Sequence, residues 1–72
     1  MRVIICGAGR VGQGIARHLA HENHDITMID EDADLIDQVQ TDFDVKGVVG
    51  HAAYPDILRN AGAEATDMLI AV

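Results

Sequence analysis

Aromatic residues are almost missing from this sequence: no tryptophan, one tyrosine and one phenylalanine in 72 residues. Its core must therefore be built from Val, Ile, Leu, Met and Ala. The same scarcity argues against single-stranded nucleic acid, which is held by aromatic stacking beside basic residues. Positive charge is also scarce. Arg2, Arg10, Arg17, Lys46 and Arg59 are scattered among twelve acids, for a net charge of −7. Such a surface repels polyanions, so no nucleic-acid partner is expected. The single cysteine, Cys6, rules out an intrachain disulfide and fits a reducing cytosol. No apolar run approaches the roughly 20 residues of a membrane-spanning helix, so no direct membrane insertion is expected. Glycines and Arg10 interrupt the first apolar run before it could serve as a secretory signal. What remains, 49% hydrophobic and 24% charged, is the composition of a small folded domain with little room for a core.

The chain alternates strand and helix patterns. Residues 2 to 6 (RVIIC) form a β-branched apolar run that reads as a strand buried on both faces. From Arg10 to about His21, Val11, Ile15 and Leu19 recur at helical spacing. Residues 25 to 30 (DITMID) give a second strand. Glu31, Asp32 and Asp34 then open a helix that carries Leu35, Ile36, Val39 and Phe43, with acids in the first turn as the helix dipole favours. Residues 45 to 49 (VKGVV) make a third strand, and Gly50 to Tyr54 a loop. Pro55 starts a short helix that Gly62 stops. After Asp67, MLIAV is a fourth strand. The order β-α-β-α-β-α-β predicts an α/β fold: a Rossmann-like parallel sheet with right-handed crossovers, one domain over residues 1–72, the first half of a doubly wound domain. An apolar strand at the open edge of such a sheet is an aggregation hazard. The expectation is that the chain is cut from a longer one, or that a second copy covers the edge.

Gly7-Ala8-Gly9-Arg10-Val11-Gly12 matches G-x-G-x-x-G, and its position gives the match weight, since it leaves the first strand and opens the first helix. Gly7 permits a tight turn. Gly9 lets the backbone approach a pyrophosphate, and Gly12 lets the helix pack closely on the strand. Free N–H groups near Arg10 and Val11 would donate to phosphate oxygens. Asp30 ends the second strand 18 residues after Gly12, close to the roughly 20 expected of a ribose-binding acid. A carboxylate there accepts ribose hydroxyls and repels a 2′-phosphate, favouring NAD(H) or an adenine nucleotide over NADP(H). The bland alternative is a simple βα turn, with Asp30 capping the next helix. In a sheet ordered 3-2-1-4, Gly50-His51-Ala52 would lie beside Asp30 and wall an adenine pocket. His51 could equally be an ordinary loop histidine.

Other residues carry weaker signals. His18, His21 and His24 recur every three residues, but His24 falls beyond the helix and no ligand completes a metal set. Cys6, just before the glycine loop, reads as a small buried residue with a redox switch as the sharper alternative. The acids Glu31, Asp32, Asp34 and Asp37 read as a solvated helix face rather than a cation site. Arg10 either reaches a phosphate or extends to water. No nucleophile–base pair or P-loop lysine is present, so no catalytic residues are expected.

The stretches "MRVIICGAGRVGQGIARHLA", "HDITMIDED" and "GHAAYPDILRNAGAEATDMLIAV" together resemble the KTN, or RCK, family of nucleotide-binding domains of bacterial potassium-transport regulators. The resemblance implies a non-enzymatic cytoplasmic subunit, peripheral at the inner face of the membrane. It would bind NAD(H) or ATP/ADP, form a homo-oligomer, and gate a membrane potassium transporter subunit. By motif match, Gly7, Gly9, Arg10, Val11 and Gly12 would hold the phosphates, with Ala8 inside the same loop. Asp30, with Glu31 beside it, would hold the adenosine ribose. Gly50, His51 and Ala52 would flank the adenine, and Ala71 and Val72 would approach from the end of strand four. Many members carry an acid where His51 stands, and a complete domain of this family has six strands where four are found here. Outside the resemblance, two other readings stay open: the N-terminal half of an NAD-dependent oxidoreductase, or a structural module with an empty glycine loop.

Overall fold

A computed structural model describes all residues, 1–72. Four strands, β1 (Arg2–Cys6), β2 (Asp25–Asp30), β3 (Lys46–Val49) and β4 (Met68–Ala71), form one sheet in the order β3-β2-β1-β4. Every pairing is parallel. The helices α1 (Arg10–Ala20), α2 (Ala33–Asp42) and α3 (Pro55–Asn60) connect successive strands, as a parallel sheet requires. The Rossmann-like α/β expectation holds, with small shifts at the element ends. Val45 precedes β3, and Val72 follows β4 while its N–H still bonds Cys6 O at 3.1 Å. A 3₁₀ turn over Ala63–Ala65 was not legible in advance. It follows Gly62, whose φ of 87° ends α3 in the left-handed region.

The two layers are unequal. Side chains alternate across each strand, and one sheet face packs Val3, Ile5, Ile26 and Met28 against Ala16 of α1 and Ile36 and Val39 of α2. The other face has only Ile4, Ile29 and Ala61 fully enclosed, with Ile57 and Leu58 of α3 half-covering them. A six-residue helix cannot cover more.

Helix α1 follows its apolar spacing only in part. Its fully buried positions are Gly12 and Ala16; Ile15 and Leu19 pack half-buried against the core, and Val11 is 64% exposed. Small residues at the contact let the helix axis approach the sheet, which tips Val11 outward. In α2, Ile36 and Val39 are buried as their spacing predicts, and Phe43 lies one residue past the helix end, under the Arg17 guanidinium at 5.7 Å.

Candidate functional site

Parallel strands bring all their carboxyl ends, and the loops after them, to one edge of the sheet. Register places Cys6 of β1 opposite Ile29 of β2 and Ala71 of β4. There a cleft of about 280 Å³ opens. Of the sequence-predicted residues, Gly7, Asp30 and Glu31 line it from β1 and β2. Gly50, His51 and Ala52 line it from the loop after β3, and Ala71 and Val72 from the end of β4. Cys6 and Ile29 line it too, beyond the residues expected to bind. The signal available for both was their place at the carboxyl ends of adjacent parallel strands.

The three motif glycines have different physical reasons. Gly7 has φ of +121°, and a side chain there would press on Val72. A Cβ on Gly12 would overlap the Gly7 carbonyl oxygen, so the start of α1 packs directly on the turn. Gly9 has neither constraint. Its φ of −78° and ψ of −160° are open to any residue, and a Cβ there would meet nothing within 4 Å. Nothing in the fold requires glycine at this position, and the space in front of it is empty.

The rest of the loop divides by what is left to bond. Ala8 is fully enclosed; its N–H donates to Asp30 Oδ2 at 2.9 Å and its carbonyl accepts Gln13 Nε2 at 2.8 Å. The first N–H groups of α1, at Arg10, Val11 and Gly12, have no carbonyl one turn earlier to bond. They carry the positive end of the helix dipole. The Arg10 side chain is exposed and forms no ion pair. Val11 points its side chain into a separate apolar groove with Ile15, Leu19, Met68 and Ile70, so only its backbone remains for a ligand.

Asp30 does not cap α2. That role falls to Asp32, whose Oδ1 accepts the N–H groups of Asp34 and Leu35 at 2.9 and 3.4 Å. Asp30 instead turns its carboxylate to backbone donors, with Oδ1 accepting Asp32 N–H at 2.8 Å. An ionised carboxylate offers about four acceptor sites, so both oxygens keep capacity for a further donor.

His51 is oriented by its neighbours. Its Nδ1 accepts Ala53 N–H at 3.0 Å and its ring is tilted against Tyr54, centroids 5.5 Å apart. With Nδ1 accepting, the neutral ring carries its proton on Nε2, and Nε2 lies 3.9 Å from Glu31 Oε1 across the cleft. Burial pushes the Cys6 thiol above its ordinary pKa. His18 and His24 both approach Glu22, at 3.9 and 3.3 Å; His18 is exposed on α1, whereas His24, past the helix end, is half-buried with its Nδ1 unpaired.

A family model described as the TrkA-N domain matches residues 3–72. The chain is 51% identical over 72 residues to the Trk system potassium uptake protein TrkA of Halomonas elongata. It is 55% identical over 73 positions to that of Azorhizobium caulinodans. Each match takes in the whole of this chain and 16% of the relative, so the chain spans about a sixth of their length. Among solved structures, the Shewanella denitrificans Kef CTD in AMP-bound form superposes with a TM-score of 0.81 at 33% identity. That match covers 96% of this chain and 40% of the other.

Proposed function

The chain belongs to the TrkA-N domain family, and from that premise we propose that it is a nucleotide-binding regulatory module of a potassium-uptake system. The observation that carries the reading is Gly9: a glycine that neither packing nor backbone angle requires, facing open space at the start of α1. Space of this kind beside unpaired N–H groups is what a pyrophosphate needs. Asp30 then receives the adenosine ribose, and Gly50, His51 and Ala52 wall the adenine. The ligand in this reading is NAD(H) or ATP/ADP, and the AMP bound by the Kef relative is chemically of the same class.

The module binds without turnover. It works in the cytoplasm, as part of a homo-oligomer seated on a membrane potassium transporter subunit, and nucleotide occupancy biases the packing of its copies and through them the transporter. The names of the relatives support the potassium-uptake part of this reading. Such control needs only that the nucleotide bind one arrangement more tightly than the other.

The test is calorimetric titration of the protein and its Asp30→Ala variant with NADH, NADPH, ATP, ADP and AMP. The expected result is binding of NADH or an adenine nucleotide, weaker binding of NADPH by about tenfold, and a narrower gap between NADH and NADPH in the variant. Equal affinity for NADPH and NADH in the wild type removes the ribose role of Asp30. Absence of binding to every nucleotide removes the proposal, and NADH oxidation with a second substrate turns it toward an oxidoreductase.

A further inference from the structure

We infer that Asp30 positions the phosphate seat as well as accepting the ribose, an inference that rests on the nucleotide reading above. Three loops border the cleft, and each is bonded to this one residue. The glycine loop donates Ala8 N–H to Oδ2 at 2.9 Å. The β2–α2 connection donates Asp32 N–H to Oδ1 at 2.8 Å. The loop after β3 donates Gly50 N–H to the Asp30 carbonyl at 2.9 Å.

The first of these bonds matters most for phosphate. The bonded N–H belongs to the Gly7–Ala8 peptide, so this tie anchors the loop one residue before the Gly9 N–H, whereas the Arg10 and Val11 N–H groups are set by α1 itself. The loop has three other local ties: Gly7 N–H to Ile29 O at 2.7 Å, Gln13 N–H to Gly9 O at 2.9 Å, and Gln13 Nε2 to Ala8 O at 2.8 Å. None of them reaches the residue that reads the ribose. A hydrogen bond to an ionised acceptor is roughly twice as strong as a neutral one, so the carboxylate makes the strongest of the four ties. Ribose and phosphate recognition are thereby joined through one side chain.

The inference has a sign that simple electrostatics does not share. Asp30 is an anion, and a nearby anion repels pyrophosphate. If Asp30 served the ribose alone, replacing it with asparagine would leave ribose-free phosphate binding unchanged or make it tighter. Asparagine is close to isosteric, but its amide nitrogen cannot accept a hydrogen bond. The Ala8 tie is then either lost to a second donor or reduced to a neutral hydrogen bond. In both cases the bracing role predicts weaker pyrophosphate binding despite the loss of a negative charge.

The experiment titrates the protein, its Asp30→Asn variant and its Asp30→Glu variant with pyrophosphate, adenosine and ADP, and follows amide hydrogen exchange by NMR. Expected are a loss of about tenfold in pyrophosphate affinity in Asp30→Asn, and faster exchange at Ala8 with unchanged protection at Val3, Ile4 and Met28. Those sheet amides report that the variant is folded. Asp30→Glu keeps the charge but displaces the carboxylate by one methylene, and it too is expected to weaken pyrophosphate. It is the deciding variant if asparagine prevents folding. Unchanged or tighter pyrophosphate binding in the variants, with only adenosine binding lost, overturns the inference and leaves the nucleotide reading standing. Wild-type protein that binds neither pyrophosphate nor ADP overturns the nucleotide reading and the inference with it.

Discussion

The first turn of α1 rests on the turn that precedes it: Gly12 abuts the carbonyl of Gly7 so closely that a methyl group between them would overlap the oxygen. Gly9, midway between the two, faces nothing. One motif thus contains a glycine needed for packing and a glycine that packing does not need. Gly12→Ala is expected to destabilise the fold by about 1–3 kcal/mol, because backbone rather than a flexible side chain must move. Gly9→Ala is expected to change stability by less than about 1 kcal/mol and to reduce nucleotide affinity. Urea denaturation beside calorimetric titration separates the two. A Gly9→Ala variant that binds as tightly as wild type would remove the observation on which the proposed function rests.

Asp32 and Asp30 divide two tasks that the sequence left joined. Since Asp32 supplies the α2 cap, Asp32→Ala is expected to cost about 1 kcal/mol. The same change leaves Asp30 its bond to the backbone N–H of residue 32. Thermal unfolding and NADH titration on one variant test this: lower stability with nucleotide affinity retained is the expected pair.

His51 is expected to be the Nε2–H tautomer when neutral, because its Nδ1 is occupied by Ala53 N–H. Nitrogen-15 shifts of the imidazole read this directly. A dominant Nδ1–H signal would mean that the loop after β3 is arranged differently and that Nε2 does not offer its proton towards Glu31.

The raised pKa of Cys6 comes from burial, which disfavours the thiolate. Alkylation by iodoacetamide at pH 8 should therefore be slower than for a free thiol. The sign for stability follows: the folded state holds its proton more tightly than the unfolded chain. This contribution is fully present below the ordinary thiol pKa and is lost as pH rises through the elevated folded value. Unfolding free energy should thus fall at alkaline pH, and Cys6→Ala should remove that part of the fall. Because Cys6 lines the cleft, bound nucleotide should slow alkylation further; equal rates with and without ligand would place the ligand elsewhere.

Much of this fold was legible because its signals are local. The β-branched run at Val3 to Ile5 and the acids ahead of Leu35 and Ile36 each identify an element without reference to the rest of the chain. Helix α1 was legible as a helix but only partly by its face. Of the evenly spaced Val11, Ile15 and Leu19, only Ile15 and Leu19 pack half-buried against the core, while the fully buried contacts are Gly12 and Ala16 and Val11 is exposed. A periodic pattern reports which residues share a side of a helix; it does not report how closely that helix can approach. The 3₁₀ turn at Ala63–Ala65 was missed because three residues are too few to show a period.

By itself the sequence determined the strand–helix alternation, the glycine loop at the first strand–helix junction, and an acid at the end of the second strand. These depend on apolar periodicity, chain stiffness and spacing, which are properties of neighbouring residues. Only the tertiary structure decided what Asp30 bonds to, which glycine the fold needs, and that Cys6 and Ile29 share a cleft with His51 and Val72. Those relations join residues far apart in the chain. They exist because parallel register carries every strand's carboxyl end to the same edge of the sheet.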